Sequence, residues 1–266
     1  MAKPVALTIA GSDSSGGAGV EADLKTMCAL GVYGAAALTS VTAQNTLGVT
    51  DCLHLPESLV AAQIDAVFDD IKVDAVKTGM LATAGIIDAV AKRLRAHGVS
   101  VLVVDPVMVA TSGAALIEDE AVETMKRELL PMCLLLTPNM PEASALAGLA
   151  VDSRESMVEA GRAIRELGPD AVLVKGGHLE GPAADVLCDA ADELWLQEPR
   201  LSVGSLHGTG CTLSSAVASW LARGLTLRDA VARAKSYVTR CIDASMDMGR
   251  GSRLLDHRDG AKGEGR

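Results

Sequence analysis

The feature that most constrains this chain is an alternation. Short, almost uncharged apolar runs take turns with longer segments whose apolar residues recur at helical spacing. The runs at 5–10, 35–41, 49–55, 74–78, 100–104, 133–136 and 171–174 read as strands, those at 5–10, 100–104 and 133–136 as buried ones. Between them, 57–71 carries Val60, Ile64, Val67, Phe68 and Ile71 on one stripe, the signature of a helix lying on a core. Thr83 is expected to cap the next helix, which runs to His97 and Gly98. Further helices are predicted at 118–130, 153–167 and from the Thr226-Leu-Arg-Asp229 capping box to about Ala244. A loop is expected at 107–117, and 185–189 with 193–196 reads as a hairpin. No internal repeat or linker divides the chain. It is therefore predicted to form one α/β domain: a single doubly wound, mostly parallel sheet with helices on both faces.

In such sheets ligands bind beyond the carboxyl ends of the strands. Gly11, Gln44, Met80, Asp105, Asn139 and Lys175 all fall just past predicted strand ends. The stretch His207-Gly208-Thr209-Gly210-Cys211-Thr212 leads into an uncharged helical run reaching Ala222. Glycines there turn the backbone tightly, and the helix start adds unpaired N–H groups and the positive end of its dipole. The result is an anion cradle formed by Gly208, Thr209, Gly210 and Cys211, with the Cys211 thiol at its mouth. That suits phosphoryl transfer, where catalysis is mainly positioning and electrostatics. Asn139 and Glu142 bring an amide and a carboxylate to one turn of a short helix, an arrangement that can hold magnesium through its waters. Asp105 is a further magnesium candidate. Lys175, ahead of Gly176-Gly177, offers a cation for nucleotide phosphates, with His178 in the same turn.

The formal charge of −10 disfavours nucleic acid and anionic membranes as partners. The runs 26–50 and 204–222 carry glycines and hydroxyls, so neither reads as a membrane span. No secretory leader is expected ahead of the first strand, and a cytoplasmic location follows. The six cysteines are scattered without a C-x-x-C pair, which argues against a disulfide framework or a zinc site.

The segments Gly11 to Gly19, Ala43 to Thr46, Lys77 to Met80, Asp105 to Met108, Thr137 to Glu142, Val174 to His178 and 207–212, in this order, resemble the hydroxymethylpyrimidine/phosphomethylpyrimidine kinases of thiamine biosynthesis. These belong to the ribokinase-like superfamily, beside pyridoxal kinase. The resemblance covers roughly residues 5 to 248. It implies an ATP- and Mg2+-dependent kinase acting on 4-amino-5-hydroxymethyl-2-methylpyrimidine and then on its monophosphate. Most ribokinase-like relatives carry an Asp base at the position of Cys211; Cys is what the pyrimidine-kinase branch carries. The resemblance further implies that Asn139 and Thr209 meet the nucleotide beside Lys175, and that Gln44 pairs its amide with the aminopyrimidine edge. Asp23 would orient the substrate hydroxyl, backbone at Gly11 would approach it, and Met80 and Val107 would form apolar walls. The alternatives are a pyridoxal kinase and a pyrimidine-binding protein without catalysis. A homo-oligomer, namely a dimer, is the expected assembly. The ending departs from the family pattern, reading Gly251-Ser-Arg-Leu-Leu-Asp-His257. The kinase domain is accordingly expected over 1–248, with 249–266 as a charged, Gly-rich, disordered tail.

Overall fold

The computed structural model describes residues 3–108, 118–177 and 179–262. The chain runs β1 (Val5–Ala10), α1 (Gly19–Ala29), β2 (Tyr33–Leu38), β3 (Ser40–Asn45), β4 (Gly48–His54), α2 (Glu57–Phe68), β5 (Ala75–Thr78) and α3 (Ala84–Ala96). It continues with β6 (Leu102–Val104), α4 (Asp119–Glu128), β7 (Leu135–Leu136), α5 (Met140–Ala147), α6 (Arg154–Arg165), β8 (Ala171–Lys175), β9 (Ala183–Cys188) and β10 (Glu193–Glu198). It closes with β11 (Leu206–His207), α7 (Thr209–Ala222), α8 (Leu227–Asp243), β12 (Arg253–Leu254) and α9 (His257–Gly260).

Eight strands form one sheet in the order β10-β9-β8-β7-β6-β5-β1-β2. Every pair from β2 to β8 is parallel; β9 is antiparallel to both β8 and β10. Alternation within each strand fills two cores. Leu7, Ile9, Val76, Val104, Leu136 and Val174 pack beneath α2 to α6. Val103, Leu135, Leu173 and Leu187 pack with Trp220 of α7 and Tyr237 of α8 on the other face. The doubly wound architecture is therefore the one the strand–helix alternation predicts. Thr83 caps α3 by accepting from Ile86 N, and Thr226 caps α8 by accepting from Asp229 N, as expected.

Two expectations need correction. The run at 35–41 is not one strand: β2 ends at Leu38, and β3 pairs antiparallel with β4 as a separate ribbon beside the main sheet. In the ribbon Ser40 and Thr42 are buried while Val41 between them is exposed. That one-sided alternation marks a half-covered ribbon, not a sheet strand covered on both faces. The tail at 249–266 is not disordered over its described part. β12 pairs with β11, Ser252 N donates to Thr46 O at 2.9 Å, and buried Leu255 and His257 anchor the segment against α7 and α8. Charge and glycine content concealed these few apolar anchors. Of the loop expected at 107–117, residues 109–117 lie outside the described residues, as does His178.

Candidate active site

A cavity of about 820 Å³ opens at the carboxyl ends of β1, β6 and β8, between the inner face of the β3–β4 ribbon and the start of α7. Gly11, Gln44, Met80, Asp105, Val107, Asn139, Glu142, Lys175, Gly208, Thr209, Gly210 and Cys211 all line it. Residues up to two hundred positions apart in sequence are thus brought to one space. Asp23 is the exception among the predicted site residues.

The cradle forms because Gly208 caps α7 with φ +82°, a left-handed conformation that side chains resist. A Cβ there would also collide with the Gly17 carbonyl oxygen. The first turn consequently presents the N–H groups of Thr209, Gly210 and Cys211, which have no acceptor within the helix. A Cβ on Gly210 would sit 3.3 Å from Lys175 Nζ and 3.4 Å from Asp105 Oδ2, so the cradle abuts the charged groups of β6 and β8. Burial pushes the Cys211 thiol up to about 11; nearby Lys77 opposes that rise, while Asp23 and Asp105 add to it.

Asp23 does not face the cavity. Its side chain is fully buried, Oδ1 accepts from Ser215 Oγ at 2.5 Å, and Oδ2 accepts from Thr8 Oγ1 at 2.6 Å. Both oxygens accept from Lys77 Nζ, at 3.0 and 2.8 Å. Burial would lower the Lys77 ammonium, but the Asp23 carboxylate, joined by Cys211 and Asp105, outweighs it and holds it above the usual lysine range. Asp23 thus fixes a buried cation whose charge is felt at Cys211. Lys77 is a functional group that the strand-end motifs do not single out. The signal was there: a lysine inside an otherwise buried strand needs a buried partner.

On the cavity's other side, Lys175 Nζ donates to Asp105 Oδ1 at 3.0 Å and lies 4.0 Å from Glu142 Oε2. Asp105 also accepts from Thr137 Oγ1 at 3.1 Å and Ser214 Oγ at 3.3 Å. Burial would raise the Asp105 carboxyl, but Lys175 and Lys77 hold it below its ordinary range. Burial raises Glu142; Lys175 counteracts this, while Asp105 reinforces it. Asn139 and Glu142 close a capping box, Glu142 N to Asn139 Oδ1 and Asn139 N to Glu142 Oε2, each 2.8 Å. Among the described residues no three His, Cys, Asp or Glu side chains cage a metal by themselves. Asp105, expected beside magnesium, is here engaged by Lys175. The donor set nonetheless fits a hydrated divalent cation: two buried carboxylates, Asp105 and Glu142, lie beside the single Lys175 ammonium.

Gln44 projects from the inner face of β3, its Nε2 3.1 Å from His207 Nε2. His207 Nε2 lies 2.9 Å from Asp13 Oδ2. Asp13 further accepts from Ser15 N, Ser15 Oγ, Gly17 N and Ala18 N. Burial works against ionisation, yet these donors, His207 first, hold its carboxyl at about 2. Asp13 and His207 stand inside the segments 11–19 and 207–212, and an aspartate followed by small residues and glycines is the local sign of such a nest. At the far end, Lys235 pairs with Asp185 at 2.7 Å, and Arg200 holds the turn through Gly177, Leu179 and Gly181 carbonyls. Leu201, Leu213, Val238 and Ile242 supply apolar wall there.

A sequence profile of phosphomethylpyrimidine kinase matches residues 13–256. The thiamine biosynthesis bifunctional protein ThiED of Geobacter sulfurreducens is 50% identical over 252 residues, 94% of this chain; the chain spans about half of that longer protein, 51%. The hydroxymethylpyrimidine/phosphomethylpyrimidine kinase of Streptomyces coelicolor is 48% identical over 254 residues, covering 96% of this chain and 94% of the relative. Among solved structures, an ADP complex of Bacillus subtilis pyridoxal kinase superposes with a TM-score of 0.91 at 36% identity, covering 97% of this chain and 98% of that one.

Proposed function

The chain belongs to the phosphomethylpyrimidine kinase family, and from that premise we propose how its cavity works. It is an ATP-dependent kinase that phosphorylates 4-amino-5-hydroxymethyl-2-methylpyrimidine and then the resulting monophosphate, giving the diphosphate used to build thiamine. In the first step the substrate hydroxymethyl oxygen attacks the γ-phosphorus of ATP. The bond to the β,γ-bridging oxygen breaks, ADP departs, and the hydroxyl proton is lost.

The observation that carries this reading is that one cavity joins the α7 cradle, with Cys211 at its edge, to the Gln44 amide. Gly208, Thr209, Gly210 and Cys211 hold charge on the transferred group through backbone N–H groups. Cys211 takes the hydroxyl proton in its thiolate form, becoming the thiol. A loose transition state makes little demand on the base until late, so the small thiolate fraction of a group held near 11 serves. Lys175 and Thr209 meet the nucleotide phosphates, with Asn139 beside them. Glu142 and Asn139, with Asp105 beside them, are the residues that would hold a hydrated Mg2+, which would supply positive charge to offset that of the nucleotide phosphates. Gln44 reads the ring edge, with Met80 and Val107 against the ring faces and Gly11 backbone close by. A Cβ on Gly11 would meet Met80 Cε, the movable end of that side chain, so the glycine lets Met80 lie close against the β1 end.

The kinase works as a homodimer in the cytoplasm, where the six unbridged cysteines stay reduced. Val41 and Leu53 face each other across the ribbon's outer side, 45% and 67% exposed, and support a second copy as the cover.

The likeness to pyridoxal kinase makes pyridoxal the competing substrate. It lacks the adjacent amino donor and ring-nitrogen acceptor, and leaving a buried amide atom unpaired costs about 1–3 kcal/mol. We expect kcat/KM to favour the hydroxymethylpyrimidine by at least about a hundredfold, and Gln44→Leu to shrink that preference by harming the pyrimidine. Equal kcat/KM for the two substrates would promote pyridoxal. ADP release that does not depend on either ring would leave only a binding protein.

A further inference from the structure

Asp13 Oδ2 lies 2.9 Å from His207 Nε2, and the Gln44 amide lies 3.1 Å from the same nitrogen. Asp13 is 2% exposed and held as a carboxylate by four donors besides His207, so it can only accept. The hydrogen of that contact must therefore come from His207 Nε2, whether the ring is neutral or charged. A protonated Nε2 has no lone pair left, so the amide group beside it cannot donate to it, whereas an oxygen there can share the same hydrogen with Asp13 in a three-centre contact. At the amide's other end, Thr42 Oγ1 lies 2.8 Å from the Ser12 carbonyl oxygen and 3.2 Å from Gln44 Oε1. A carbonyl only accepts, so the single Thr42 proton goes to Ser12. The hydroxyl oxygen then faces the amide as an acceptor and wants an N–H.

Both ends make the same demand, and neither is met while Nε2 of Gln44 faces His207. Oxygen and nitrogen exchange places by a half-turn of the terminal amide. We propose that Asp13 and His207, with Thr42, hold the Gln44 amide turned over, its oxygen toward His207 and its nitrogen toward Thr42, and that this fixes which hydrogen-bonding edge the enzyme accepts. One oxygen lone pair and one N–H remain for the ring, with the acceptor on the His207 side. His207 adjoins Gly208, so the substrate's amino group is drawn to the cradle side and its ring nitrogen to the Thr42 side. The ring carbon that bears the hydroxymethyl group neighbours the amino-bearing carbon, so the reacting oxygen is turned toward the cradle. Asp13 and His207 are positioning residues in this account, acting through Gln44. The inference rests on Gln44 being the group that meets the pyrimidine edge.

The test compares the aminopyrimidine with its 4-oxo analogue, which presents a carbonyl oxygen in place of the amino group and a ring N–H beside it. Wild type should favour the amino compound by at least about a hundredfold in kcat/KM, because the analogue sets acceptor against acceptor and donor against donor. His207→Leu and, from the opposite end, Thr42→Val should each reduce that ratio below about tenfold, mainly through KM for the amino compound. Imidazole ¹⁵N NMR reads the same point without relying on a variant's folding. The His207 ring, identified by its shift in Asp13→Asn, should carry its proton on Nε2. A lone pair on Nε2, or turnover of both pyrimidines without discrimination in wild type, would overturn this inference alone. Turnover of neither pyrimidine would overturn the assigned substrate instead.

Discussion

At the scale of single residues, the site's chemistry is set by charges that cannot reach bulk water. Cys211 is the case with the sharpest consequence. With the thiol held near 11, its thiolate fraction rises about tenfold per pH unit across the neutral range. If it takes the substrate proton, kcat measured where chemistry limits turnover should climb from pH 7 to 9. Cys211→Asp, ionised throughout, should flatten that climb, and Cys211→Ala should lower kcat at least about tenfold with little change in nucleotide binding. A flat wild-type profile together with an unaffected alanine variant would make Cys211 a packing residue. Glu142 is the second case. Burial and Asp105 together outweigh Lys175 and keep its carboxyl above the ordinary range, so protons compete with Mg2+ there. Glu142→Gln should raise the Mg2+ concentration for half-maximal rate at least about threefold, the loss of one weak charge contact. Superimposable Mg2+ titrations of variant and wild type would remove Glu142 from the ion.

At the scale of elements, α9 shows how a short C-terminal segment is tied into the domain. His257 Nε2 meets Thr212 Oγ1 at 3.1 Å, and its carbonyl accepts from Tyr237 Oη at 2.9 Å. Burial first, then Lys25, depress its imidazole to about 4, against a weak opposing pull from Asp256. The folded state therefore resists a proton that the unfolded chain takes up near pH 6.5. The stability gained from keeping His257 neutral is complete above about 6.5, declines as pH falls, and is gone by about 4. The full swing is on the order of 3 kcal/mol. Between pH 7 and 5 the melting temperature of wild type should fall further than that of His257→Gln. Equal falls would mean that the ring is already charged or solvated in the folded state.

At the scale of the whole molecule, the ribbon is the part that the main domain leaves half covered. Its inner face carries Thr42 and Gln44 to the cavity, while its outer face exposes the Val41–Leu53 pair. The double change Val41→Thr with Leu53→Ser should convert a dimer into a monomer by light scattering, without harming the fold. An unchanged mass would move the interface elsewhere. By itself the sequence determined the sheet, its wrapping by helices on both faces, and the strand ends at which Gly11, Asp105, Asn139 and Lys175 gather. These follow from local periodicity and from the rule that parallel strands open their carboxyl ends to ligands, neither of which needs long-range information. The cradle was legible for the same reason, since Gly208 and Gly210 act on their own backbone. Three things were decided only in three dimensions. Asp23, which follows the glycine loop, turns inward because Lys77, Thr8 and Ser215 offer it more partners than the cavity does. Asp105 meets Lys175 seventy residues away. Asp13, Gln44 and His207 come together from the first loop, the ribbon and the threshold of α7. Pairing of buried polar groups is chosen by whichever partners the packed elements bring within about 3 Å, and no local pattern encodes that choice.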